Sequence, residues 1–84
     1  MLVDVVKASP VDDKHIFVEF DDGKKGNVDL TKIMHGPLYE ELVASGDLMN
    51  FVVDSESGTI VWPNGLDIAP ETLWVAAAHI PRDF

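Results

Sequence analysis

An alternating apolar pattern that leads into an Asp-Gly turn sets the strongest limit on the fold of this chain. Residues 15–20 alternate, and the apolar residues of one face are Ile16, Val18 and Phe20. Residues 21–24 read Asp-Asp-Gly-Lys, and Asp-Gly readily adopts the positive φ that tight hairpin turns require. Residues 25–30 then return as a second strand with Val28 and Leu30 pointing inward. The sequence therefore predicts a β-hairpin here.

The segments around this hairpin extend it into a meander and a helix. Residues 2–7 are β-branched and apolar, and Ser9-Pro10 is expected to end that first strand. A helical turn is predicted over 31–34, and a helix begins at Pro37, a first-turn position that tolerates proline. Its apolar stripe is predicted to comprise Leu38, Tyr39, Leu42 and Val43, with Gly46 as the terminating residue.

A second hairpin and a last helix complete the pattern. Residues 50–54 and 59–62 flank a Ser-Glu-Ser-Gly turn. Asp67 is the candidate capping residue for a helix that has Pro70 in its first turn, runs to about Ala78 and is stopped by residues 79–81. The inward side of this helix is expected to present Leu73, Trp74 and Ala77. The order β-β-β-α-β-β-α predicts an α+β fold, a small and mostly antiparallel sheet with two helices packed on it.

Length and composition limit the class of protein. The 84 residues predict one α+β domain over 1–84. The chain has no cysteine, which excludes disulfides and thiolate metal sites and fits a reducing cytoplasm. The N-terminal residues show no signal-peptide pattern, and no apolar run is long enough for a membrane span. We therefore expect a cytoplasmic protein with no membrane contact.

The charge balance argues against nucleic acid as a direct partner. Asp and Glu outnumber Lys and Arg by fifteen to six, for a formal net charge of −9, and the sole arginine is Arg82. Proteins that bind nucleic acid use Lys and Arg to neutralise phosphates. A basic protein partner is compatible with this charge, although an acidic surface can also be simply solvated.

The sequence contains no catalytic or metal-binding signature. His15, His35 and His79 lie in separate elements without the pairing of a zinc site. Residues 54–58 resemble part of a calcium loop, but their glycine falls one position too early, so a hairpin turn is predicted there. Phosphate-binding loops and nucleophile elbows are also absent. We therefore expect no enzyme activity, no catalytic residues and no cofactor.

Trp62, Pro63, Asn64 and Trp74 are the candidate partner contacts. Tryptophan is enriched at binding hot spots, so an exposed Trp62 beside Pro63 and Asn64 would suit a peptide or protein partner. The alternative is that this segment is a strand end and tight turn, with Trp62 covering the edge of a small core. Trp74 and the Ala-rich end of the last helix are compatible with a core position or with an oligomer face.

The chain resembles a bacterial family of uncharacterised proteins, domain of unknown function 2442. The resemblance covers nearly the whole chain and is most specific over residues 58–67, Gly-Thr-Ile-Val-Trp-Pro-Asn-Gly-Leu-Asp, with Pro-Glu-Thr-Leu at 70–73. Residues 18–23, 28–30 and 36–42 also match. The resemblance implies a compact α+β domain with no assigned activity or catalytic residues, and suggests antitoxin-like pairing with a second small protein.

Three functions are compatible with these observations. The leading one is a non-enzymatic protein–protein interaction module, regulatory or antitoxin-like, with an unidentified protein partner. The second is a small-molecule or metal-binding domain with a pocket lined by Trp62, Asn64 and carboxylates. The third is a structural homo-oligomer that associates through the Ala-rich last helix.

Overall fold

The computed structural model of the chain describes residues 3–78, and the predicted strand start at Leu2 and the residues beyond Ala78 lie outside that range. A first sheet contains β1 (Val5–Pro10), β2 (His15–Phe20) and β3 (Lys25–Asp29), all antiparallel and adjacent in chain order. The inward face that the alternation predicts is confirmed, since its three residues are buried: Ile16, Val18 and Phe20.

The first strand lies further along the chain than predicted. β1 begins at Val5 and continues through Pro10, which pairs with Ile16 instead of ending the strand. β1 is an edge strand, and proline is tolerated there because its missing N–H need not face the neighbouring strand. A register shift between Val5 and Lys7 leaves Val6 in a bulge.

The turn between β2 and β3 is the predicted hairpin. Gly23 has φ of +91°, and the backbone N–H of Phe20 donates to the carbonyl of Lys24 at 2.8 Å. The Asp22 carboxylate accepts the backbone N–H of Lys24 at 3.0 Å. A carboxylate that closes its own turn in this way is a common reason for Asp at such positions.

A short 3₁₀ turn (Leu30–Lys32) and helix α1 (Pro37–Ser45) follow the meander, and Gly46 ends α1 in the left-handed conformation, as predicted. The predicted apolar stripe is only half correct. Leu42 is buried and Tyr39 is half-buried, whereas Leu38 and Val43 are exposed at the two edges of the stripe. The short helix covers the core with its central residues only.

The second hairpin forms a separate two-stranded sheet of β4 (Val52–Asp54) and β5 (Thr59–Val61). In its turn, the Asp54 carboxylate accepts the backbone N–H of Glu56 and the hydroxyl of Ser57, both at 3.1 Å. The segment that resembled a calcium loop is therefore a hairpin turn held by its own aspartate. The backbone N–H of Val5 donates to the Gly58 carbonyl at 2.8 Å and joins the two sheets.

The last helix, α2 (Pro70–Ala78), packs across β3 and β2. The prediction that Asp67 caps it is wrong. The carbonyl of Ala69 accepts from Thr72 and Leu73, so Ala69 holds the N-cap position, while Asp67 forms a bridge with Val61. Leu73 and Ala77 face the sheet and are fully buried.

Helix α2 and strand β3 approach closely at a glycine. A Cβ placed on Gly26 would lie 3.0 Å from the backbone carbonyl oxygen of Ala77. The backbone of Ala77 therefore lies close against β3, and the Ala77 side chain is fully buried. At this position the Ala-rich helix face contributes to the core and is not free for an oligomer contact.

The predicted α+β class and element order are confirmed, with the five strands divided between two sheets. One core lies between the sheets and the helices, and its largest fully buried side chains are those of Phe20, Ile16, Leu30, Ile60, Leu73, Val18 and Val28. Within residues 3–78, neither helix has the length and apolar character needed to cross a membrane.

Candidate functional site

Trp62 is a core residue. Only 3% of its surface is exposed, and its indole N–H donates to the backbone carbonyl of Leu48 at 2.7 Å. The ring of Phe51 meets it edge-on, with the ring centres 5.9 Å apart. These contacts match the structural alternative for this segment, and they leave no open ring face for a partner to stack on.

Asn64 joins the turn after β5 to helix α1. Its Nδ2 donates to the carbonyl of Leu38 at 3.1 Å and to Oε1 of Glu41 at 3.3 Å, while its Oδ1 accepts the backbone N–H of Leu66. Pro63 is exposed at the tip of this turn. Most of the hydrogen-bonding groups of the Asn64 side chain thus bond to other parts of the same chain. Neither Trp62 nor Asn64 lines the four grooves described below.

Trp74 contacts a different part of the fold. Its indole N–H donates to Oδ2 of Asp22 at 2.9 Å, and Nζ of Lys24 lies 3.7 Å from the ring centre. The backbone N–H of Lys24, followed by the Trp74 indole, lowers the pKa of Asp22. The ring remains half-exposed. The contacts of Trp62 and Trp74 therefore do not bring the four predicted residues into one surface.

His15 lies between two carboxylates on the outer side of the first sheet. Its Nδ1 is 2.9 Å from Asp12, and its Nε2 is 3.7 Å from Asp29. The pKa of Asp12 is lowered to about 2, chiefly by the backbone N–H of Lys14 and then by the His15 side chain. The pKa of Asp29 is lowered as well, because the Thr31 hydroxyl donates a hydrogen bond to its carboxylate. Residues 3–78 contain no cluster of three or more His, Asp or Glu that could hold a metal ion.

Charge is unevenly distributed along the chain. All five lysines lie in the first 32 residues: Lys7, Lys14, Lys24, Lys25 and Lys32. Residues 33–78, named here the lysine-free half, contain no Lys or Arg. They contain seven carboxylates: Glu40, Glu41, Asp47, Asp54, Glu56, Asp67 and Glu71. This half comprises α1, β4, β5 and α2, so these elements carry only negative side-chain charge, and Lys24 from the rest of the chain contacts them at Trp74.

The same half carries most of the exposed apolar side chains. Seven large hydrophobic residues are exposed among residues 3–78, and two of them, Val6 and Val11, precede it. The other five are Leu38, Val43, Val52, Val53 and Val75. Single exposed hydrophobic residues are normal, whereas their concentration on an acidic surface is informative. A surface that combines the two suits a partner with both apolar and basic groups.

An apolar depression of this half runs along α2. Two depressions, of about 420 and 190 Å³, lie side by side and share Ile33 and Thr72 in their linings. We name the two depressions together the α2 groove; residues along it include Ile33, His35, Asp67, Glu71, Thr72, Val75 and Ala76. Val75 is 60% exposed. Sequence reasoning missed this groove, although helical spacing does contain the signal, because it places Val75 on the side opposite Leu73 and Ala77.

Smaller grooves lie elsewhere on the surface. One is bounded by Asp13, Val43 and Met49 near the end of α1, and another by Val6, Val53 and Asp4 where β1 meets β4. Each includes an exposed valine beside a carboxylate. The α2 groove differs from them in having two acidic side chains in its lining, Asp67 and Glu71.

Comparison with known proteins gives a family and no function. No curated protein and no solved structure matches the chain significantly. A family model described as a protein of unknown function, DUF2442, matches residues 5–79. The match confirms the resemblance drawn from the motifs. The chain therefore belongs to the DUF2442 family of proteins of unknown function.

Proposed function

We propose that this protein is a non-enzymatic interaction module that binds a basic protein partner through its lysine-free half. The observation that carries the proposal is the coincidence, in residues 33–78, of seven carboxylates and no Lys or Arg with five of the seven large hydrophobic residues that are exposed among residues 3–78. Protein interfaces combine apolar contacts with complementary charge. The remainder of the chain supplies the sheet that supports this surface.

The charge of the chain favours a different protein over a second copy as the partner. Two copies that met through their lysine-free halves would bring fourteen carboxylates together without a Lys or Arg from either side. Like charges across an interface are destabilising. A regulatory role of the antitoxin type is a specific form of the proposal, in which the partner is a small basic protein that this chain holds inactive.

Co-purification from cells that naturally produce the protein tests the proposal. We expect one stoichiometric partner with a basic surface, and weaker association at high salt because exposed charges are screened. Recovery of the protein without a partner, together with a concentration-dependent dimer in light scattering, would contradict the proposal and support a homo-oligomer.

A matched pair of variants tests whether carboxylates of the lysine-free half affect partner binding more than carboxylates in the rest of the chain. Glu40→Gln with Glu56→Gln removes two exposed carboxylates from the lysine-free half, and Asp13→Asn with Glu19→Gln removes two from the other part. Both variants have the same net charge. We expect the first to slow association with the partner more than the second, because rim charges act mainly on the association rate. Equal slowing would mean that only total charge matters.

A further inference from the structure

Within the proposed interaction function, we infer that the α2 groove is the docking site. Its occupant is a basic segment of the partner that inserts an apolar side chain between Ile33 and Val75. Lys or Arg residues of the same segment lie opposite Asp67 and Glu71. The inference concerns which surface is used and what binds there, and it rests on the proposed function.

The floor of the groove is suited to an apolar side chain. Ile33 comes from the segment that follows the 3₁₀ turn, whereas Val75 and Ala76 come from α2, so the groove lies between two separate parts of the chain. Its two depressions measure about 420 and 190 Å³. The larger depression is shallow and open to solvent, so it suits a side chain laid along the surface and not an enclosed small ligand.

The rim of the groove supplies the preference for a basic segment. Asp67 is exposed and Glu71 is half-exposed, and among residues 3–78 no Lys or Arg lines either depression. A Lys or Arg side chain can lay its aliphatic stem on Val75 or Ala76 and direct its charged end to a carboxylate. Arg is the better fit because its planar fork can bind a carboxylate through two hydrogen bonds.

A titration followed by amide NMR tests the inference on the full chain. The probe is a short helical peptide of Leu and Arg with one apolar face, compared with the same peptide in which Glu replaces every Arg. We expect the Leu/Arg peptide to shift the amide signals of Ile33, Thr72, Val75 and Ala76, and the Leu/Glu peptide to leave them in place. Shifts centred on Val52 and Val53 instead would refute the docking site while retaining the proposed function.

Two valine variants provide a matched control. Val75 and Val52 are both 60% exposed, so Val75→Arg and Val52→Arg add the same charge and bulk at positions where folding should be unaffected. We expect Val75→Arg to weaken Leu/Arg peptide binding by about tenfold or more, the size of a hot-spot effect. Val52→Arg should leave it within about twofold, as for other exposed charges.

The outcomes separate the two proposals. Equal weakening by both variants would show that added positive charge alone is responsible, and would refute the α2 groove. Binding of the Leu/Arg and Leu/Glu peptides with the same affinity would refute the preference for a basic segment at this site. The natural partner is identified independently by co-purification, so a failed peptide titration does not by itself remove the proposed function.

Discussion

The indole N–H of Trp74 donates to the carboxylate of Asp22 at 2.9 Å, although the two residues are 52 positions apart in the chain. The contact links helix α2 to the turn between β2 and β3, outside the apolar core. Lys24, from the same turn, places its ammonium group over the ring. The indole N–H and the ring face of Trp74 are thus both used in contacts within the chain.

Replacing Trp74 by Phe keeps an aromatic ring and removes the donor. We expect the pKa of Asp22 in Trp74→Phe to rise towards its ordinary value, because one of the groups that lowers it is lost. The backbone N–H of Lys24 still lowers the pKa of Asp22 in the variant, so the rise should be partial. A carboxyl-carbon NMR titration measures this, with Asp29 as the internal reference. An unchanged Asp22 titration would show that the indole hydrogen bond is not formed in solution.

Replacing Trp62 by Phe tests the role of the other tryptophan. The variant loses the indole N–H that bonds to the Leu48 carbonyl and leaves that carbonyl buried without a partner. We expect a loss of about 1–3 kcal/mol in the free energy of unfolding, measured by urea denaturation. Trp74→Phe is the control, and it should cost less because that ring is half-exposed. A larger loss in the control would contradict the assignment of Trp62 to the core.

We predict that a side chain at Gly26 is accommodated only at a cost in stability. A Cβ at this position would lie 3.0 Å from the Ala77 carbonyl oxygen, which belongs to the backbone of α2 and cannot rotate away. Gly26→Ala should therefore cost about 1–3 kcal/mol of stability, the range for overpacked sites. Asn27→Ala, at the next and exposed position of β3, should cost less in the same thermal-unfolding assay. Equal stability of the two variants would mean that α2 sits further from the sheet.

We predict that Asp12 makes the free energy of unfolding depend on pH in the acid range. Its folded-state pKa is about 2 and its ordinary value is 3.8. A carboxylate whose pKa is lower in the folded state stabilises the protein at pH values above its ordinary pKa. This contribution is lost as the pH falls through the folded-state pKa. Asp12→Asn should therefore show a shallower loss of stability than the parent protein between pH 4 and pH 2. An unchanged pH dependence in Asp12→Asn would contradict the lowered pKa of Asp12.

Local patterns were sufficient for the strands and turns that depend on neighbouring residues. The alternation of Ile16, Val18 and Phe20, the turn at Gly23 and the helix end at Gly46 each follow from short-range sequence signals, and each is confirmed. The fold class followed from the order of these elements.

The remaining features depend on contacts between distant residues. Trp62 is buried because its ring packs against Phe51 and its indole N–H bonds to the Leu48 carbonyl. Asn64 bonds to residues of α1 that lie 23 and 26 positions earlier in the chain. Pro10 continues a strand because that strand is at an edge, a fact of sheet order. The α2 groove arises where the segment after the 3₁₀ turn meets α2, and neither segment shows it alone.

The distribution of lysines also determines which reagents can report on the surface. Trypsin has no cleavage site between Lys32 and Arg82, so digestion releases α1, β4, β5 and α2 together on one peptide with both tryptophans. Amine-reactive cross-linkers will find no side-chain target in residues 33–78. A carbodiimide, which couples carboxylates to a partner's lysines, is therefore the reagent expected to capture a complex through this surface.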